Sequence, residues 1–72
     1  MSTYDTTATD IRRAMRKSLE SVGQLHRSDL IAHVADVTDA TADRVADELA
    51  EQKKRGEVYE VPSDDGPVVK LP

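Results

Sequence analysis

Apolar side chains recur through the first third of the chain at the spacing of a helix that buries one face. The apolar or small positions are Ala8, Ile11, Ala14, Met15, Leu19 and Val22. Charged side chains occupy the opposite side, so the pattern predicts an amphipathic helix over residues 7–22. A threonine near residue 9 or earlier is expected to cap its start. Gly23 suits the left-handed position that ends many helices.

Two further helical patterns follow, over residues 28–37 and 42–55. A short extended link over residues 24–26 precedes the first of them, and Ser28 is expected to cap its start. Its inward positions are predicted to be Leu30, Ile31, Val34 and Val37. The next helix has an acidic first turn and a basic last turn, which complements the helix dipole, and Gly56 is expected to end it.

Strand-forming residues on both sides of a polar turn close the chain. The predicted strands contain Val58, Tyr59 and Val61, then Val68, Val69 and Leu71, and Asp64, Asp65 and Gly66 form the exposed tip between them. The second and third helices form a helix-turn-helix candidate. We therefore predict one α+β domain over residues 1–72, with residues 1–6 disordered. Its expected architecture is a winged helix, a three-helix helix-turn-helix core with a C-terminal β-hairpin wing.

The sequence LAEQKKRGEVYEV, residues 49–61, resembles the end of the C-terminal winged helix domain of archaeal MCM replicative helicases. In that family the last helix commonly ends in a basic residue, glutamate and glycine or a similar turn, followed by an apolar and aromatic pair. Residues 56–59, GEVY, carry the match, and a looser one extends upstream to about Arg12. The resemblance implies association with DNA. Because the chain starts at Met1 without an ATPase segment, we expect a freestanding winged helix protein, with an excised domain as the alternative.

The composition is acidic, with 14 Asp and Glu against 10 Lys and Arg, a net charge of −4. Aspartate outnumbers glutamate and lysine is scarce, which resembles the proteins of salt-accumulating archaea. Acidity of that origin serves solubility and says little about a partner. The alternative is an ordinary, mildly acidic protein. No apolar run reaches the roughly 20 residues of a membrane span and no leader pattern is present, so a soluble, cytoplasmic chain without a membrane partner is expected.

Basic residues cluster despite this acidity. The predicted nucleic-acid contacts are Arg12, Arg13, Arg16, Lys17, Arg27, Arg44 and Lys70. Four of them within six positions of the first helix favour a patch that contacts phosphates or grips an acidic protein. The alternative is a solvated outer face of an amphipathic helix. Arg44 is the one cation on the exposed first turns of the third helix, and its alternative role is an intrahelical pair with Glu48.

The third helix itself is acidic where a recognition helix would meet DNA. The alternative set of partner-binding residues is therefore Asp43, Asp47, Glu48 and Glu51. Carboxylates there would be repelled by the phosphates that supply most non-specific affinity. The leading hypothesis is a module associated with double-stranded DNA, either replication-type or a transcription regulator. The alternative is a protein-interaction module of a replication or transcription assembly without direct DNA binding. A monomer or weak dimer is expected in both cases.

Catalysis finds little support in the sequence. His26 and His33 are seven positions apart in different predicted elements, and no carboxylate or cysteine spacing matches a metal site. No nucleophile elbow or phosphate-binding glycine loop occurs. We therefore predict a non-enzyme with no cofactor and no metal. Tyr59 is interpreted as covering the edge of the core, with stacking on a base as the alternative.

Overall fold

Three helices and three short strands follow one another in the computed structural model, which describes residues 7–72. The elements are α1 (Ala8–Val22), β1 (Gln24–His26), α2 (Arg27–Thr38), α3 (Ala42–Lys54), β2 (Tyr59–Val61) and β3 (Val68–Lys70). The predicted α+β class and the winged helix layout are confirmed. The disorder predicted for residues 1–6 lies outside the described residues. Within residues 7–72, no helix is both long and apolar enough to cross a membrane.

The ends of α1 are set by residues that the sequence pattern identifies. Thr7 Oγ1 accepts a hydrogen bond from the Asp10 amide at 3.2 Å, and Asp10 Oδ2 accepts one from the Thr7 amide at 3.3 Å. This reciprocal arrangement is a capping box, which satisfies amides that lack a partner inside the helix. At the other end Gly23 has φ +86°, and its amide donates to the Leu19 carbonyl at 2.7 Å. The prediction that Gly23 ends α1 is confirmed.

The start of α2 differs from its prediction. Ser28 does not cap this helix, because α2 already begins at Arg27 and His26 occupies the cap position without a side-chain hydrogen bond. The Arg27 amide instead donates to the Pro67 carbonyl at 2.9 Å. The backbone of the hairpin turn therefore supplies an acceptor at this helix start. In α3 the cap is a side chain, since Thr41 Oγ1 accepts from the Arg44 amide at 3.1 Å.

The link predicted over residues 24–26 is the strand β1. It pairs antiparallel with β3, which also pairs antiparallel with β2, so the sheet order is β1-β3-β2. Leu25 lies opposite Val69, and Tyr59 lies opposite Lys70. The terminal hairpin is thus extended to three strands, and β3 is its centre.

One hydrophobic core joins all three helices to the sheet. Its buried members are Ile11, Met15, Leu19, Leu30, Ile31, Val34, Val45, Leu49, Val58 and Val69. Val22 and Val37 are predicted to face inward, but 59% and 56% of their surfaces are exposed, and they are the last and the last but one residues of their helices. Tyr59 is 44% exposed, so its interpretation as a cover of the core is wrong.

Candidate interaction surfaces

The basic face of α1 consists of Arg12, Arg13, Arg16 and Lys17. Arg13 and Lys17 are exposed, and neither forms an ion pair with any residue in the range 7–72. Arg16 Nε lies 3.4 Å from Glu20 Oε2, in a pair whose side chains are 62% and 58% exposed. Such exposed pairs contribute at most about 1 kcal/mol, so Arg16 can exchange this partner for another at little cost.

Arg12 is held more firmly, because it bridges α1 and α3. Its Nε lies 3.5 Å from Glu48 Oε1, with the side chains 32% and 15% exposed. Arg12 also donates to the Ala8 carbonyl and to Thr9 Oγ1, and Glu48 accepts a further bond from Gln52 Nε2 at 3.3 Å. The charge of Arg12 is therefore already offset by a carboxylate, and its main effect is to hold the two helices together.

Arg44 is exposed and does not form the intrahelical pair with Glu48 that was considered as its alternative role. Glu48 pairs with Arg12 instead, and Arg44 forms no ion pair with any other described residue. Residues four apart lie on the same side of a helix, so Arg44 shares the flank of α3 on which Glu48 contacts α1.

The two remaining predicted DNA contacts lie elsewhere. Arg27 Nε is 3.8 Å from Glu60 Oε2, and Lys53 Nζ is 3.2 Å from the same oxygen. Glu60 thus pairs with a cation at the start of α2 and with another near the end of α3. Lys70 lies on β3 next to the buried Val69 and therefore points to the outer face of the sheet. The seven predicted basic residues therefore lie on four different elements, α1, α2, α3 and β3.

Exposed carboxylates occur on α3 and at the tip of the hairpin, and we refer to these residues together as the acidic surface. Asp43 and Asp47 on α3 are exposed, as are Asp64 and Asp65 in the turn, and no ion pair within residues 7–72 involves any of these four. Glu51 joins them, although Lys54 Nζ lies 3.7 Å from it in an exposed pair. Glu48 does not belong to this surface, because it is only 15% exposed and is engaged by Arg12.

A groove runs between α1, the end of α3 and the chain segment after β3. It encloses about 310 Å³ and is lined by the apolar side chains of Met15, Val58 and Leu71. Three arginines also line it, Arg12, Arg13 and Arg16, together with Gln52, Glu57 and Thr9. We call it the arginine groove. The sequence predicted the basic residues of this groove but not its apolar residues. Met15 and Leu71 are far apart in the chain and line the same groove only in the folded protein.

The histidines do not come together as ligands. His26 Nδ1 is buried and has no hydrogen-bond partner among the described residues, and His33 is exposed on α2. Within residues 7–72, no three histidine, aspartate or glutamate side chains form a group that could hold a metal ion.

Known proteins add no family to this description. Comparison of the chain with models of protein families and with curated proteins found no match.

Proposed function

We propose that this winged helix is a non-catalytic protein-interaction module, and that its acidic surface docks on a basic partner. The acidic surface consists of Asp43, Asp47 and Glu51 on α3 with Asp64 and Asp65 in the hairpin turn. The resemblance to replicative helicase domains suggests a partner in a replication or transcription assembly.

The observation that carries this proposal is the charge of the surface that a helix-turn-helix protein turns toward DNA. Such proteins place the recognition helix in the major groove, where its outward residues meet bases and phosphates. Here Asp43 and Asp47 hold those positions on α3 without an ion pair within residues 7–72, and Arg44 is the one cation beside them on its first turns. Phosphates would be repelled there, whereas lysines or arginines of a protein would be attracted.

Association with double-stranded DNA is the second candidate, supported by Arg13, Lys17 and Arg44. These three cations are exposed and have no ion-pair partner within residues 7–72. Contacts to phosphates through them would be independent of sequence. With about three phosphates neutralised, the logarithm of affinity would fall against the logarithm of salt concentration with a slope of about −3.

Charge removal on α3 tests the two candidates against each other. We expect Asp43→Asn with Asp47→Asn to weaken the binding of a lysine-rich peptide by roughly tenfold, at about 0.5–1 kcal/mol for each lost charge contact. The same variant should bind a short duplex more tightly than the wild type does. Fluorescence anisotropy with labelled peptide and labelled duplex measures both affinities.

Asp36→Asn is the matched control, because Asp36 is an exposed aspartate on α2, outside the acidic surface. It should change both affinities by less than about twofold. The proposal is overturned if the α3 variant and the α2 control weaken peptide binding equally, or if the wild type binds duplex more tightly than the peptide.

A further inference from the structure

We propose that the arginine groove is a second docking site, of opposite charge to the acidic surface, and that it binds an acidic segment of a partner protein through an apolar side chain. Gln52 is the residue of α3 that lines the groove, and none of the acidic residues used in the proposed function does. This inference goes beyond that function and does not depend on it.

The lining of the groove combines two features that select such an occupant. Met15 and Val58 are core residues, 1% and 5% exposed, that form the apolar floor of the groove, and the partly buried Leu71 forms the accessible apolar part of its lining. An apolar side chain of a ligand would extend this contact and remove its own surface from water, at about 25 cal/mol per Å². A phosphate group gains nothing from such a lining, so a peptide suits the groove better than a nucleic acid does.

The groove is lined by more basic than acidic residues, although the chain as a whole is acidic. Three arginines and one carboxylate, that of Glu57, line it, whereas the whole chain carries a net charge of −4. Carboxylates outside the lining already pair with Arg12 and Arg16, so Arg13 supplies the unpaired positive charge. Flexible acidic side chains of a partner can reach the guanidinium groups and form paired hydrogen bonds with them. A basic or neutral peptide would lack these contacts, and its lysines would be repelled.

The three arginines differ in how freely they can bind. Arg13 is exposed and has no ion-pair partner within residues 7–72, so a ligand carboxylate meets no competitor there. Arg16 would have to leave Glu20, but that pair is exposed and weak. Arg12 keeps its ion pair with Glu48, and this pair holds α1 against α3 on one side of the groove. Arg13 is therefore the residue whose charge the site needs most.

The size of the groove limits what it can hold. At about 310 Å³ it lies at the lower end of ligand-binding sites, which suits one or two side chains rather than a whole element. An extended or helical peptide would place an apolar anchor in the groove and keep its acidic residues along the arginines. We expect a weak, transient interaction.

The test uses the full chain labelled with ¹⁵N and a short peptide of aspartate and glutamate that contains a leucine pair. Amide shifts should concentrate at Met15, Val58 and Leu71 and saturate on titration. Arg13→Glu should weaken binding by roughly tenfold, since it removes one favourable charge contact and adds a repulsive one. Lys17→Glu changes the charge of α1 equally but lies outside the groove lining, so it should weaken binding by less than about threefold at physiological salt.

Two further titrations distinguish docking in the groove from a purely electrostatic contact with α1. A peptide with serines in place of the leucines should bind at least fivefold more weakly, because burial of the apolar anchor is lost. Equal binding of the serine peptide, or equal effects of Arg13→Glu and Lys17→Glu, would overturn the proposal. It is also overturned if a short duplex produces the same saturable shifts, or if sedimentation shows a wild-type dimer that Arg13→Glu dissociates, since a second copy would then occupy the groove.

Asp43→Asn with Asp47→Asn should leave binding of the acidic peptide unchanged or slightly tighter. The proposals for the groove and for the acidic surface can therefore be contradicted independently in the same set of titrations.

Discussion

At the scale of single residues, Glu60 is the side chain that ties the hairpin to the helices. Its side chain is 19% exposed, and its Oε2 lies 3.2 Å from Lys53 Nζ and 3.8 Å from Arg27 Nε. Neither partner is near Glu60 in sequence. A charge pattern along the chain therefore cannot reveal the pairing. Local signals such as the capping residue Thr7 and the terminating Gly23 were readable because their partners lie within one helical turn.

We predict that Lys53 and Glu60 are energetically coupled. A double-mutant cycle of Lys53→Ala and Glu60→Ala, followed by urea unfolding, should give a coupling free energy of about 0.5–1 kcal/mol that decreases as salt is added. The exposed Arg16–Glu20 pair is the comparison, and its coupling should be about 0.3 kcal/mol. A Lys53–Glu60 coupling no larger than that of the exposed pair would contradict the role given to Glu60.

Helix caps give a second prediction at this scale, because Thr41 caps α3 whereas Ser28 caps no helix. Thr41→Ala removes the acceptor of the Arg44 amide and should lower the free energy of unfolding by about 1 kcal/mol. Ser28→Ala should change it by less than about 0.5 kcal/mol, since Ser28 is exposed and caps no helix. Chemical denaturation of both variants checks this order, and a larger loss from Ser28→Ala would show that the start of α2 has been misassigned.

At the scale of elements, the three helices and the hairpin were predictable, whereas the third strand was not. Helical periodicity extends over many residues, so α1, α2 and α3 were located to within a residue or two. The segment Gln24–His26 contains too few residues to show alternation, and its pairing partner β3 lies at the far end of the chain. Short strands of this kind exist because of a non-local partner, which a local pattern does not contain.

The integration of β1 into the sheet can be tested with two neighbouring residues. Leu25 is opposite Val69 and packs against the core, so Leu25→Ala should lower the free energy of unfolding by roughly 1–2 kcal/mol, somewhat less than for a fully buried leucine. Gln24→Ala is the matched control at an exposed position and should cost less than about 0.5 kcal/mol. Equal, small effects in urea unfolding would indicate that residues 24–26 are only a connector.

At the scale of the whole molecule, the fold pairs some charged side chains with one another and leaves others exposed. The sequence alone indicated the acidity of the chain and the cluster of basic residues on α1. It could not show which charged side chains neutralise one another. Arg12 and Glu48 were assigned to opposite functions, DNA contact and partner contact, and the fold pairs them. The arrangement leaves an acidic surface on α3 and the hairpin turn, and a cationic, partly apolar groove beside α1.

Above all, we propose that α3 and the hairpin turn bind a protein rather than DNA. A titration of the ¹⁵N-labelled chain with a short duplex at low salt tests it most directly, because screening is then least and any attraction to phosphate is strongest. We predict no saturable shift of the amides of Asp43, Asp47, Asp64 and Asp65, and clear shifts of the same amides with a lysine-rich peptide. Saturable shifts of those four amides with the duplex, which disappear as salt is raised, would contradict the account.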